Sequence, residues 1–324
     1  MSEPGDFVPP PQWRTHDFKK AKDYFDSHAG RSYDDAVASG KIYSDFIEPQ
    51  LTSEAIATLS FVCDVTGSVG TWPATMFSKL PYLELEAQEY LGKDLDINWS
   101  AIGDAHHTDQ YPLQVRPFAR GTKLKDYLEE IVKEGGGGGQ TTETYEIAAL
   151  YYTQKVVLPN AIHSVLIFFG DEKPYDYILP EHAKKYVGID AKKRLLTKDV
   201  FAELKKKYSV YLIRKPYGTY NENNMSAVDV GIYEAWANLL GSDHIADISE
   251  AGRIVDVIFG ILAKETGRIP YFRKEIEDRQ KSEQVETVYK SLKTIHALPA
   301  PAQDKTKKKG HSGKSIMFPP PKKK

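Results

Sequence analysis

A chain of 324 residues with 41% hydrophobic and 27% charged side chains is long enough for a large core and has the composition of a soluble globular protein. One cysteine, Cys63, excludes an intramolecular disulfide, and no apolar run reaches the roughly 18 residues that a membrane helix needs. The net charge of −2 hides an asymmetry: residues 303–324 carry +7, which leaves −9 on the rest.

Residues 1–12 are Pro-rich, and the first six lack the basic and apolar regions of a signal peptide, so the expectation is a cytoplasmic protein. Residues 13–50 mix aromatic and charged side chains without strand alternation and read as short helices outside the main domain. The run Ile56 to Cys63, leading into Asp64, reads as a buried strand over 55–64. Pro73 sits near the start of a helix expected from Thr71 to Gly92. Ile97–Gly103 reads as a second strand, and Leu113–Phe118 as an edge strand that tolerates Pro117. Leu124, Tyr127, Leu128 and Ile131 form a helical stripe.

Five glycines, Gly135 to Gly139, then precede Gln140-Thr141-Thr142-Glu143-Thr144, a helix start with a Thr cap and an acid in its first turn. His163 to Phe169 is a buried strand that runs into Gly170-Asp171. A helix over 198–208, a strand over 209–213, a helix over 227–240, a short strand over 245–248 and a helix over 251–264 follow. Strands alternating with helices argue for an α/β fold with a mainly parallel sheet covered on both faces. Residues 267–297 read as further helix, and from Gln303 the Lys, Gly, Ser and Pro composition reads as a disordered tail. That tail is weighed as a nucleic-acid contact or a solvated segment; without interleaved aromatics the solvated reading is favoured.

Chemistry concentrates in three loops. Asp64-Val65-Thr66-Gly67-Ser68 places a carboxylate and two hydroxyls at i, i+2 and i+4 after an apolar strand. The Gly-rich loop brings Thr141, with Thr142 as the alternative. Phe169-Gly170-Asp171-Glu172 ends another apolar strand on a carboxylate. In open α/β sheets ligands bind beyond strand carboxyl ends, and hard oxygens of this kind suit Mg²⁺. A separate cluster, Asp104, His106, His107 and Asp109, contains zinc-ligand residue types, but a polar turn is the preferred reading because no further ligand stands in a fixed frame.

The order and spacing of the three loops resemble the von Willebrand factor A family, in its intracellular prokaryotic-type form, over about residues 52–266. That family's metal-ion-dependent adhesion site takes Asp-x-Ser/Thr-x-Ser after its first strand, a Thr from a Gly-preceded loop and an Asp after its fourth strand. Here these match Asp64, Thr66, Ser68, Thr141 and Asp171. The resemblance implies a three-layer, doubly wound, mostly parallel sheet at 51–266, an N-terminal extension at 1–50, a helical extension at 267–298 and a Lys/Pro-rich tail at 299–324. It also implies Mg²⁺ (or Mn²⁺ or Ca²⁺) as the bound ion. The function implied is a non-enzymatic adaptor or scaffold that binds an acidic residue of another protein, such as a AAA+ ATPase or another complex member, through that ion.

The rival reading is a Mg²⁺-dependent phosphohydrolase of the haloacid dehalogenase type with Asp64 as nucleophile, for which Asp171 and Asp176 resemble the later acidic motif. Most such phosphatases carry a second Asp two residues after the nucleophile; here that residue is Thr66.

Overall fold

All eight residues of the strand Ala57–Asp64 are buried. Successive side chains alternate between faces, so Ala57, Leu59, Phe61 and Cys63 enter one apolar core and Val62 the other. Such a strand must have a neighbour on each side and a helical layer on each face. The computed structural model describes residues 11–107, 109–133, 141–217 and 225–295 and supplies both. The main sheet comprises β1 (Ala57–Asp64), β2 (Leu95–Ile102), β3 (Leu113–Val115), β4 (His163–Gly170), β5 (Ser209–Arg214) and β6 (Ile245–Asp247), in the spatial order β6-β5-β4-β1-β2-β3. β3, at one edge, runs antiparallel to β2, and the other pairings are parallel.

The longer helices around this sheet are α1 (Phe18–Ala38), α2 (Trp72–Ser78), α3 (Leu80–Leu91), α4 (Lys123–Glu129), α5 (Tyr145–Lys155), α6 (Thr197–Leu204), α7 (Ala227–Leu240), α8 (Ile254–Glu265), α9 (Ile269–Arg279) and α10 (Ser282–Ser291). Apolar residues of α2, α3, α4 and α8 share one core with the sheet; those of α5, α6 and α7 share the other. The fold is therefore a three-layer α/β/α sandwich on a mostly parallel sheet. Among the described residues no helix is long and apolar enough to cross a membrane.

Three expected elements take a different form. The single helix expected over 71–92 is two helices meeting at Lys79. Pro81 has no N–H to give to the carbonyl four residues back, so the first helix stops before it and the second begins with Pro near its start. The short helices expected within 13–50 include one of 21 residues, α1, capped by Asp17, whose carboxylate accepts from Lys20 N at 2.9 Å. It packs on α2, with Phe25 and Phe77 edge to face at 5.3 Å. The helix expected over 267–297 is α9 and α10, whose Phe272, Ile276, Val285 and Val288 belong to the same core as α8. Gly260 of α8 lies so close to Leu292 that a Cβ there would sit 2.2 Å from Leu292 Cδ1. The lysine-rich stretch 303–324 and the glycines 135–139 lie outside the described residues.

Candidate metal centre

β1 and β4 are adjacent and parallel, so their carboxyl ends lie side by side. Asp64 is the last residue of β1 and Asp171 follows the last residue of β4. Both are fully buried. Gly170 permits the approach: a Cβ at that position would meet Tyr145 Oη at 1.8 Å and Asp64 Cβ at 3.0 Å.

The turn after β1 is organised by its own aspartate. Asp64 Oδ1 accepts from Thr66 N at 2.8 Å and from Thr66 Oγ1 at 2.6 Å. This closes a side-chain turn and leads into a single helical turn at Gly67–Val69. Gly70, at φ +56°, ends that turn in a conformation that side chains disfavour. Ser68 is thereby turned across to the neighbouring loop, and its Oγ donates to Asp171 Oδ1 at 2.8 Å.

Thr66 Oγ1 and Ser68 Oγ lie 3.3 Å apart. Each hydroxyl has one proton, and each proton is engaged by a carboxylate. Each oxygen therefore keeps lone pairs for a further partner. Neighbouring ligands of an octahedral Mg²⁺ stand about 2.9 Å apart when the metal–oxygen distance is 2.0–2.1 Å. Two carboxylates and two hydroxyls gathered in this way form a hard-oxygen donor set, and a small divalent cation fits its chemistry.

The fifth expected residue, Thr141, stands differently. Its carbonyl accepts from Lys173 N at 3.1 Å, and Thr142–Glu143 pairs in parallel with Lys173–Pro174, just beyond Asp171. The loop is thus fastened beside the site, but no hydrogen bond joins the Thr141 hydroxyl to the other four residues. The Thr142 hydroxyl faces Tyr175. The expected helix start at these threonines is instead this short ladder, and α5 begins at Tyr145.

Four residues that the sequence pattern does not single out complete the site. Tyr145 Oη donates to Asp64 Oδ2 at 3.2 Å. Lys215, directly after β5, places Nζ 2.8 Å from Asp171 Oδ2. Glu143 and Glu172 are both buried, and one oxygen of each has no hydrogen-bond donor. Burial, reinforced by the Asp64 charge, pushes both carboxyls well above the usual range. Asp64 itself is pushed up to about 7, first by burial and then by the charge of Asp171, against the hydrogen bonds from Thr66. The acid-rich corner therefore retains protons near neutrality, and a divalent cation bound there would drive them off. A signal for Lys215 existed: it is the first residue beyond a buried parallel strand, on the side of the sheet where ligands collect.

The Asp104 turn lies at the same end of the sheet. Asp104 Oδ1 accepts from His106 N at 2.8 Å, and Oδ2 lies 2.6 Å from His107 Nδ1. Tyr175 Oη donates to the same carboxylate at 2.9 Å. Asp109 Oδ2 accepts from Asp104 N at 2.7 Å. His106 stacks on Tyr175 with ring centroids 3.9 Å apart. Among the described residues no group of three or more His, Cys, Asp or Glu side chains is disposed to hold a metal ion. The Asp64 site has only two acids among its expected ligands and rests on hydroxyls for the rest.

No protein-family model matches the chain, and no curated protein is significantly similar to it in sequence. Among solved structures, the open conformation of the pilus adhesin SpaC from Lactobacillus rhamnosus GG aligns with a TM-score of 0.47 and 9% identity over 67% of this chain and 31% of that one. A second form of the same adhesin gives a TM-score of 0.43 and 9% identity over 67% and 32% of the two chains. The chain thus spans about a third of the adhesin's length.

Proposed function

We propose that the chain is a von Willebrand A-type module in which Asp64, Thr66, Ser68 and Asp171 hold a divalent cation, Mg²⁺ or its Mn²⁺ or Ca²⁺ equivalent, for binding another protein. Thr141, on the adjoining loop, is the fifth candidate ligand. The observation that carries this reading is the pair of hydroxyl oxygens 3.3 Å apart between two buried carboxylates at neighbouring strand ends. When bound, the cation would supply a Lewis-acid position for a carboxylate of the partner. Thr66 and Ser68 are neutral, so the ion would keep much of its charge for that carboxylate. Asp64 and Asp171 would anchor it, and Tyr145 orients Asp64 from α5. The partner implied is a protein presenting an exposed Asp or Glu, as expected for an adaptor or scaffold; the family resemblance makes an AAA+ ATPase one such partner.

The phosphohydrolase alternative has less support. Asp64 is fully buried, and both its oxygens already accept hydrogen bonds, from Thr66 and Tyr145. A nucleophilic carboxylate needs an open line to phosphorus, and Thr66 lacks the proton-transfer range of an aspartic acid. The deciding experiment is titration calorimetry of the full chain with MgCl₂, together with a pull-down in Mg²⁺ against EDTA. Saturable Mg²⁺ binding and an EDTA-sensitive partner, both lost in Asp64→Ala, are expected. Equal Mg²⁺ binding by wild type and Asp64→Ala would overturn the reading.

A further inference from the structure

The donor set at the ends of β1 and β4 has an internal competitor. Lys215 Nζ contacts Asp171 Oδ2 at 2.8 Å, so an ammonium occupies the carboxylate oxygen that Ser68 leaves free. An ammonium and a hydrated cation compete for the same lone pairs, because both need a hard, anionic oxygen. Resting on the metal-site reading, we propose that Lys215 is a tethered cation that neutralises Asp171 in the metal-free protein and withdraws when a divalent ion is loaded.

The backbone around Lys215 suits a fixed anchor with a movable head. Lys215 N donates to Gly170 O at 3.0 Å and so extends the β5–β4 ladder by one residue. Before it, Arg214 is clamped by Asp229 at 2.7 Å and Asp247 at 2.6 Å. After it, Tyr217 N donates to the same Asp229 oxygen at 2.8 Å. The Cα is thereby held on both sides. The side chain is not: its other hydrogen bond, to Pro216 O, is long at 3.3 Å, and 17% of the side chain is exposed against 1% for Asp171. A flexible four-carbon stem with an open side can swing its ammonium into water without moving the strand. Removing Lys215 from a metal-free site would strand a buried carboxylate, which explains why a cation is built in. A second ammonium nearby, Lys133 Nζ, is engaged by Gly70 O at 2.8 Å and does not contact a site carboxylate.

Two measurements on the full chain test this. First, calorimetry with Mg²⁺ and with Mn²⁺ compares wild type, Lys215→Met and Lys215→Arg. Lys215→Met should bind the ion about tenfold more tightly, because the competitor is gone; Lys215→Arg, which keeps the charge, should bind no more tightly than wild type. A residue that merely props up the site would give weaker binding in both variants. Second, acetylation of the wild-type Lys215 amine is followed by mass spectrometry, with Lys205 as an internal control, and needs no variant to fold. Saturating Mg²⁺ should raise its labelling rate about tenfold, and Asp171→Asn should raise it without metal. If Mg²⁺ binds wild type but Lys215→Met binds no more tightly, or Lys215 labelling does not rise, the tethered-cation proposal fails while the metal site stands. If wild type binds neither ion, both fail.

Discussion

Two acidic corners sit at the carboxyl end of the same sheet, and they are built in opposite ways. Around Asp104 most contacts are local: His106 N and His107 Nδ1 reach its carboxylate from within three residues, its own N donates to Asp109, and Tyr175 closes the group from outside. Around Asp64 and Asp171 the donors come from three separate segments: the turn after β1, whose Thr66 serves Asp64 and whose Ser68 reaches across to the β4 loop, α5, and the residue after β5. A loop that satisfies itself can keep its shape when its neighbours move. A site assembled across elements depends on the whole sheet. Acid content therefore does not set the two corners apart; the origin of their donors does.

The largest expected effects break the second corner and spare the first. Asp64→Ala and Asp171→Ala should each abolish Mg²⁺-induced thermal stabilisation while leaving the far-ultraviolet circular dichroism spectrum unchanged. The reason is that one remaining carboxylate with hydroxyls and water supplies too little charge to offset dehydration of Mg²⁺. Asp104→Asn should leave the Mg²⁺ affinity within about twofold of wild type. A Mg²⁺ response that survived in both Ala variants, or vanished in Asp104→Asn, would reverse the assignment of the two corners.

Next in size is the close approach that joins the strands. Gly170→Ala places a Cβ against Tyr145 Oη, 1.8 Å away if nothing moves, and should destabilise by about 2–3 kcal/mol in urea unfolding. Combining it with Tyr145→Phe removes the clashing oxygen and should recover part of that loss. Strict additivity of the two changes would show that they do not meet.

The pH dependence sharpens the comparison further. Asp64 holds its proton up to about 7 in the folded chain, whereas an unfolded aspartate releases it near 3.9. Between those values the folded state binds more protons than the unfolded state, so stability falls as pH rises. Metal-free wild type in EDTA should thus lose about 2 kcal/mol from this group between pH 5 and 7. Asp64→Asn should flatten that part of the melting-temperature profile. A profile as steep as that of wild type would place the titration elsewhere, with Glu143 and Glu172 the next groups to replace. The smallest effect belongs to the self-contained turn: Asp104→Asn should cost about 1 kcal/mol, through the weakened contact with His107.

Much of this architecture is legible in the chain itself. The apolar run into Asp64 needs cover on both faces wherever it lies, so its strand and the three-layer architecture follow from hydrophobic patterning. The spacing of Asp64, Thr66 and Ser68 likewise fixes a tight local turn, because one carboxylate can cap the backbone two residues on. Asp171 after a second such strand is legible too, and the parallel pairing of β4 with β1 then sets it beside Asp64. What local pattern could not contain are contacts between segments distant along the chain. Lys215 reaches Asp171 across 44 residues, Tyr145 reaches Asp64 across 81, and Ser68 reaches Asp171 across 103. Glu143 looks like an ordinary first-turn acid until the sheet buries it, and only the ladder with Lys173–Pro174 fastens the Thr141 loop beside Asp171. Hydrophobic periodicity encodes which faces must be buried; which polar groups then share a desolvated corner is decided only when the strands have been ordered and brought within hydrogen-bonding distance.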